Sequence, residues 1–185
     1  NGPSRLQSLG ELCLSLERSR VLPPDERRRQ PSLVFEHRGR QATLSFDSLG
    51  PVGGMVRHGD SGASYTDLLF ELDHVRAFDF EVAPRGFGRA DLERFDKGFL
   101  ERSEDEEKLA RMLTPEVKAA IVELSGMRLL AVSLTLDGLS LRIRTAGWLS
   151  GTERLARFVS LGAVVFDGYL AAAGAIERQG QPGVG

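Results

Sequence analysis

Histidine, cysteine and serine side chains are the first candidates for chemistry in this chain of 185 residues. The histidines His37, His58 and His74 are far apart, without the short spacing that lets two imidazoles bind one zinc ion. Cys13 is the single cysteine, so neither a disulfide nor a cysteine-built zinc site can form within the chain. The sequence therefore predicts no metal site, no thiol chemistry and no cofactor.

A candidate nucleophile lies between Gly59 and Gly62, where the sequence reads GDSG. This string resembles the segment around the catalytic serine of chymotrypsin-like proteases, in which a histidine base and a carboxylate activate the serine. The histidine segment and the cysteines of that family are missing, and Ala63 stands in place of a second glycine. We interpret the string as a polar turn. A hydrolase that uses Asp60, Ser61 and a histidine remains the third alternative for function.

Arginines form the most basic part of the chain, and they are the first candidate binding site. Such a patch could bind an acidic partner, a phospholipid headgroup or nucleic acid, and the favoured interpretation is a solvated connector between two elements. Aromatic residues that would stack on bases do not interleave with these arginines, and the net charge of the chain is −2, so nucleic acid is not an expected partner. The patch comprises Arg27, Arg28, Arg29, Arg38 and Arg40.

Large aromatic residues suggest a second kind of site. They could line an apolar cavity between a sheet and the C-terminal helix, where a small molecule or a lipid would bind. The same residues could instead form a packed core. These residues are Phe78, Phe80, Trp148, Phe158 and Phe166.

Hydrophobic periodicity, turn residues and capping residues predict the elements that would hold these sites. Gly39 and the pair Asp137-Gly138 mark hairpin turns, while Ser103 with Glu106 and Thr114 with Pro115 mark helix starts. The predicted elements are a helix at 6–16, a hairpin at 32–47, strands at 65–73 and 77–83, helices at 91–99, from 103 and at 114–126, a hairpin at 132–143, and a long helix to about 176 that Ser150 or Thr152 caps.

The order of these elements determines the expected fold class. Strands follow strands without a βαβ alternation, which predicts an α+β fold with an antiparallel sheet and the long C-terminal helix packed on it. We expect one domain over residues 1–185, with an ordered core at 5–178 and flexible tails at 1–4 and 179–185. The glycine-rich loop at 50–64 is either mobile or functional. A helix precedes a hairpin near both ends, so an internal duplication remains open.

The longest apolar segment runs from Phe158 to Ile176. Asp167 and three glycines interrupt it, and a charge at the centre of a bilayer is costly, so we interpret the segment as a buried helix. The chain starts without methionine and could be a piece of a longer protein. We expect it in the cytoplasm, either free or held at a membrane by a segment that this chain lacks.

The C-terminal half carries two short motifs. Residues Phe95 to Phe99 read FDKGF, and residues Leu113 to Val117 read LTPEV, ahead of a hairpin and a final helix. This order resembles an uncharacterised bacterial domain family of unknown function, in which an FDxxF element precedes LTPE. Proteins of that family are often attached to membranes. The resemblance implies an architecture and no enzymatic activity.

The sequence therefore predicts a non-catalytic accessory, protein-interaction or sensing domain of a bacterial protein, which could be the soluble part of a membrane-tethered protein. A protein partner or self-association is expected. The alternative is a small-molecule or lipid binding domain with an apolar cavity.

Overall fold

The computed structural model describes residues 4–26, 28–48, 63–72, 78–85 and 95–175. The strands in these ranges are β1 (Arg20–Leu22), β2 (Ser32–His37), β3 (Arg40–Ser48), β4 (Ser64–Glu71), β5 (Phe80–Pro84), β6 (Phe99–Ser103), β7 (Leu129–Leu134) and β8 (Ser140–Ala146). The helices are α1 (Arg5–Cys13), α2 (Phe95–Gly98), α3 (Glu106–Met112), α4 (Pro115–Ser125) and α5 (Thr152–Ala172).

All eight described strands form one antiparallel sheet, in the order β1-β2-β3-β4-β8-β7-β5-β6. The hairpins β2–β3 and β7–β8 are each built from neighbouring strands, and β4 pairs with β8 to join the first half of the chain to the second. The predicted α+β class with an antiparallel sheet, hairpins and a long C-terminal helix is confirmed.

The long helix α5 packs on the middle of the sheet. A Cβ atom added to Gly162 would approach Leu68 Cδ2 of β4 to 2.3 Å, so the glycine allows a close approach of helix and sheet. Helices α1, α3 and α4 contact α5, and Lys118 of α4 pairs with Asp96 of α2 at 3.2 Å. The described helices therefore lie on one side of the sheet, and we call the opposite side the open face.

One turn and one helix cap are formed by the residues that the sequence predicts. The β2–β3 turn consists of Arg38 and Gly39, with φ of 50° and 72°, which matches the turn type that suits a two-residue hairpin. Thr114 caps α4 by accepting a hydrogen bond from the Val117 amide at 3.3 Å, and Pro115 is the first helical residue. Both predictions are confirmed.

Two predicted caps are wrong. Ser103 ends β6, and Asp105 caps α3 by accepting a hydrogen bond from the Lys108 amide at 3.0 Å. The residue before α5 is Gly151, which has no side chain to cap with, so neither Ser150 nor Thr152 has this role. Thr152 lies inside the helix, where its hydroxyl donates to Glu11 of α1 at 2.6 Å.

The predicted helix over 91–99 is also corrected where the structure describes it. Helix α2 ends at Gly98, and Phe99 begins strand β6, opposite Pro84 of β5. Pairing with a strand that is distant in sequence overrode the helical spacing of the phenylalanines. Strand β1 was not predicted either.

Among the described helices, α5 alone is long and apolar enough to cross a membrane, with a mean hydropathy of 1.4 in its most apolar window. Within the fold, 56 % of that window is buried. The apolar surface of α5 therefore forms much of the core. Phe166 and Leu170 are fully buried there.

Candidate functional site

The predicted arginine patch is divided between the two ends of β2. Arg28 and Arg29 precede this six-residue strand, whereas Arg38 and Arg40 follow it, so about 20 Å of extended chain separates the pairs. Arg27 lies outside the described residues. The described arginines therefore lie in two separate pairs, because the intervening residues form a strand and do not fold back.

At the hairpin end of β2, the charges are engaged with helix α5. Asp167 accepts hydrogen bonds from Arg38 Nε at 2.7 Å and Arg38 Nη2 at 3.2 Å, and its carboxylate is 2.8 Å from His37 Nε2. Burial opposes ionisation of Asp167, but these hydrogen bonds outweigh it and hold the pKa of Asp167 below its usual range. The cluster attaches the helix to the β2–β3 turn. Arg38 is thus already paired.

At the other end of β2, Arg28 and Arg29 border an open cleft of about 330 Å³, which we call the arginine cleft. Residues 28–30 form one wall. Ser32 and residues 45–48 form the rest, because Leu33 pairs with Leu44 and the end of β3 extends past the start of β2. The cleft therefore lies where the segment that leads into β2 meets the end of β3.

A tight turn holds Arg28 at this position. The Arg28 amide donates to Asp25 Oδ1 at 2.7 Å, and the Asp25 amide donates to the Arg28 carbonyl at 2.8 Å. Arg28 Nη1 reaches Ser32 Oγ at 3.4 Å. The neighbouring Arg29 is exposed and makes no hydrogen bond or ion pair within the part of the chain that the structure describes. Arg28 Nη2 also lies 3.4 Å from Asp25 Oδ2, so the Arg28 guanidinium is ion-paired, whereas that of Arg29 has no partner among the described residues.

Residues from both ends of the chain support the back of the cleft. The Arg5 guanidinium lies 4.9 Å from the Phe46 ring centroid and 4.6 Å from that of Trp148, and it donates to Gln30 Oε1. Burial lowers the pKa of Arg5, and its Nε is buried without a hydrogen-bond partner. Trp148 Nε1 donates to the Asp47 carbonyl at 3.0 Å. These contacts hold Gln30 and the end of β3 in place.

A carboxylate pair adjoins the cleft on the open face. Asp67 of β4 accepts hydrogen bonds from Arg144 Nε at 2.7 Å and Nη2 at 2.6 Å, while Asp47 lines the cleft and hydrogen-bonds to Asp67. Partial burial of the Asp47 carboxyl, and then its bond to Asp67 and the charge of Asp67, raise the pKa of Asp47; Arg144 and Arg142 act against this. The charged groups that act on the Asp47 carboxyl are therefore Asp67, Arg144 and Arg142.

The five aromatic residues of the predicted apolar cavity have different surroundings in the part of the chain that the structure describes. Phe158 and Phe166 are fully buried, and the Phe166 ring stacks on Phe70 with 4.5 Å between centroids. Phe78 and Phe80 pack against another buried ring, that of Tyr169, whereas Trp148 is partly exposed and contacts Arg5 and the Asp47 carbonyl. For the four phenylalanines, these contacts match the alternative interpretation, a packed core.

A separate open groove of about 400 Å³ lies where α1 and α5 meet β2, and none of those five aromatic residues lines it. Leu12, Phe35 and Val159 border this groove, but each is buried in the core and exposes little apolar surface.

The remaining catalytic candidates of the sequence lie outside the described residues. His58, Asp60, Ser61 and His74 belong to ranges without a structural description, as does most of the glycine-rich loop. Within the described ranges, no three histidine, cysteine or carboxylate residues form a group that could hold a metal ion.

Sequence reasoning found Arg28 and Arg29 but missed Arg5, Asp47 and the pair of Asp67 with Arg144. Polar residues at alternating positions of β4 and β8 are the available signal for a sheet face that no described helix covers. They do not show which strands are neighbours, because 77 residues separate Asp67 from Arg144.

The fold and site define an α+β protein with a helix-covered antiparallel sheet and a charged cleft at one end of its open face. Comparisons with protein-family models, with curated proteins and with solved structures found no match to this chain.

Proposed function

We propose that this chain is a non-catalytic sensing domain. In this proposal, the arginine cleft binds an anionic group of a small ligand. The observation that carries the proposal is the pair of guanidinium groups at the cleft. The Arg28 guanidinium is held in place by Asp25 Oδ2, 3.4 Å from Nη2, while the exposed Arg29 has no partner among the described residues and is the guanidinium open to an anion. Guanidinium groups bind carboxylates and phosphates through two parallel hydrogen bonds.

The size of the cleft favours a small ligand over a protein surface. Its volume of about 330 Å³ is within the range of small-molecule sites, roughly 300–1,000 Å³. Serine hydroxyls at positions 32 and 45 add hydrogen-bonding groups next to the arginines. Of the functions that the sequence leaves open, sensing of a small anionic molecule therefore fits this geometry better than docking of a macromolecule.

The experiment measures thermal unfolding of the chain against a panel of carboxylic acids, amino acids, phosphorylated sugars, and inorganic phosphate and sulfate. A ligand at a hundred times its Kd stabilises the folded state by about 2.7 kcal/mol, which raises Tm by several degrees. We expect at least one anionic compound to raise the Tm of the wild-type chain, and the doubly substituted Arg28→Ser/Arg29→Ser variant to lose that increase.

The matched control is the doubly substituted Arg102→Ser/Arg154→Ser variant, which removes the same charge from exposed arginines on β6 and α5. It should keep the full response to the ligand. If no anionic compound raises Tm, or if the increase persists in the cleft variant, the arginine cleft is not an anion-binding site.

A further inference from the structure

Arg5 is a positively charged side chain to which the fold gives no counter-charge among the described residues. It is half-buried, and no described carboxylate pairs with it. Its guanidinium contacts two aromatic rings, at 4.9 Å from the Phe46 centroid and 4.6 Å from that of Trp148. Within the same part of the chain, its hydrogen-bond acceptor is Gln30 Oε1, the oxygen of a neutral amide.

Two further observations show that the charge of Arg5 is incompletely compensated. Burial lowers the pKa of Arg5, so the charged form is less stable there than in water. Its Nε is buried without a hydrogen-bond partner among the described residues. A partly buried charge interacts with a neighbouring charge more strongly than an exposed charge does, because less water screens it. An anion near Arg5 would therefore stabilise the charged guanidinium.

The residues that contact Arg5 form part of the wall of the arginine cleft. Gln30 and Phe46 both line the cleft, and both contact the Arg5 guanidinium directly. Arg29, the guanidinium open to an anion, immediately precedes Gln30 in the chain. The charge of Arg5 thus lies one side chain behind the surface of the cleft.

Arg5 is also the first residue of helix α1, which Ser4 caps. Helix α1 packs against α5. Gln30, in contrast, belongs to the segment between β1 and β2 that forms the cleft wall. The hydrogen bond from Arg5 to Gln30 therefore joins the start of α1 to the wall of the cleft.

We propose that Arg5 is a further residue of anion recognition, which supplies positive charge from behind the wall of the arginine cleft and couples an anion there to the docking of α1. This inference rests on the proposed function, because it extends the same cleft. Arg5 is a positioning residue, since it acts through its charge and through Gln30 and does not touch the anion. No covalent step is involved. An anion in the cleft stabilises the start of α1, which gives a sensing domain a means to transmit binding.

The first test places a fixed carboxylate in the cleft wall and needs no ligand. Gln30→Glu should pair with Arg5 and raise Tm by about 2–4 °C, because the new carboxylate supplies the counter-charge. In the Arg5→Met background, which keeps an apolar side chain against Phe46 and Trp148, the same substitution should not raise Tm. Gln7→Glu, which puts the same charge on an exposed position of α1, is the matched control and should change Tm equally in both backgrounds.

The second test uses inorganic phosphate, with sodium chloride at equal ionic strength as the reference. Phosphate should raise the Tm of the wild-type chain and slow hydrogen exchange of the amides of α1. Arg5→Met should weaken the phosphate affinity about fivefold and abolish the change in exchange, whereas Arg5→Lys, which keeps the charge, should retain most of both effects. Arg154→Ser, which removes an exposed arginine from α5, is the control and should leave both effects unchanged.

The outcomes separate this inference from the proposed function. If Gln30→Glu does not raise Tm, or raises it equally in the Arg5→Met background, the inference fails. If phosphate binds equally to the wild type and to Arg5→Met, or leaves the exchange of α1 unchanged, the inference fails while the proposed function stands. If phosphate does not bind, the inference fails, and the other anionic compounds of the panel decide the proposed function. If no anionic compound depends on Arg28 and Arg29, both proposals fail.

Discussion

Arg144 donates two hydrogen bonds to the carboxylate of Asp67, at 2.7 and 2.6 Å, across the pair of strands that joins the two halves of the sheet. The pair lies on the open face, yet the Asp67 side chain is only 3 % exposed. A carboxylate that burial removes from solvent is destabilised unless a partner of opposite charge compensates for the lost hydration.

We expect Arg144→Met to lower the free energy of unfolding by about 3–5 kcal/mol, because it leaves the Asp67 carboxylate buried without a partner. Urea denaturation followed by circular dichroism measures this change. The doubly substituted Asp67→Leu/Arg144→Met variant should recover much of the loss, since it removes both charges.

The surface ion pair of Arg157 with Glu123 provides the control, because both side chains are about half exposed. Arg157→Met should cost less than about 1 kcal/mol. A cost for Arg144→Met as small as that for Arg157→Met would show that the buried pair does not stabilise the sheet.

Gly162 allows the contact between α5 and the sheet. An added Cβ would lie 2.3 Å from Leu68 Cδ2 and 3.1 Å from Ile143 Cδ1, and both of those residues are fully buried. We expect Gly162→Ala to lower the free energy of unfolding by about 1–3 kcal/mol through overpacking, although alanine favours helices. Chemical denaturation measures the effect.

Gly10→Ala is the matched substitution in a helix where nothing lies within 4 Å of the added Cβ. It should stabilise the chain by up to about 1 kcal/mol, because only helix propensity changes. Similar stabilisation by both substitutions would contradict close packing at Gly162.

The pKa of Asp167 is lower in the folded state than its ordinary value of about 3.9, because the hydrogen bonds from His37 and Arg38 outweigh burial. Its ionised form therefore adds stability above pH 3.9 or so, and this stability is lost as the pH falls through the lowered folded pKa. We expect Asp167→Asn to destabilise the chain by roughly 1–3 kcal/mol at neutral pH. The difference from the wild type should shrink in acid.

Urea denaturation over a series of pH values measures this trend. Glu153→Gln, an exposed position in the first turn of the same helix, should change stability by only about 0.5 kcal/mol at any pH. A difference between Asp167→Asn and the wild type that stays constant or grows in acid would show that the carboxylate is not stabilised by its partners.

The sequence by itself determined the features that depend on a few neighbouring residues. The turn at Gly39, the cap at Thr114 and the turn at Asp137, whose Oδ1 accepts from the Leu139 amide at 3.0 Å, all close within a few positions of the chain. Alternation without a βαβ pattern determined the α+β class. Arg28 and Arg29 were visible as candidates because a run of charge is itself a sequence feature.

Only the tertiary structure decided which distant segments meet. Strand β4 lies beside β8, Arg5 reaches Trp148, and Asp47 joins Arg28 at one cleft. It also divided the arginine patch and placed Asp167 against a hairpin turn. The physical reason is that strand neighbours and packing partners are selected by burial of the whole core and by pairing of every buried polar group, and neither condition can be evaluated within a short stretch of chain.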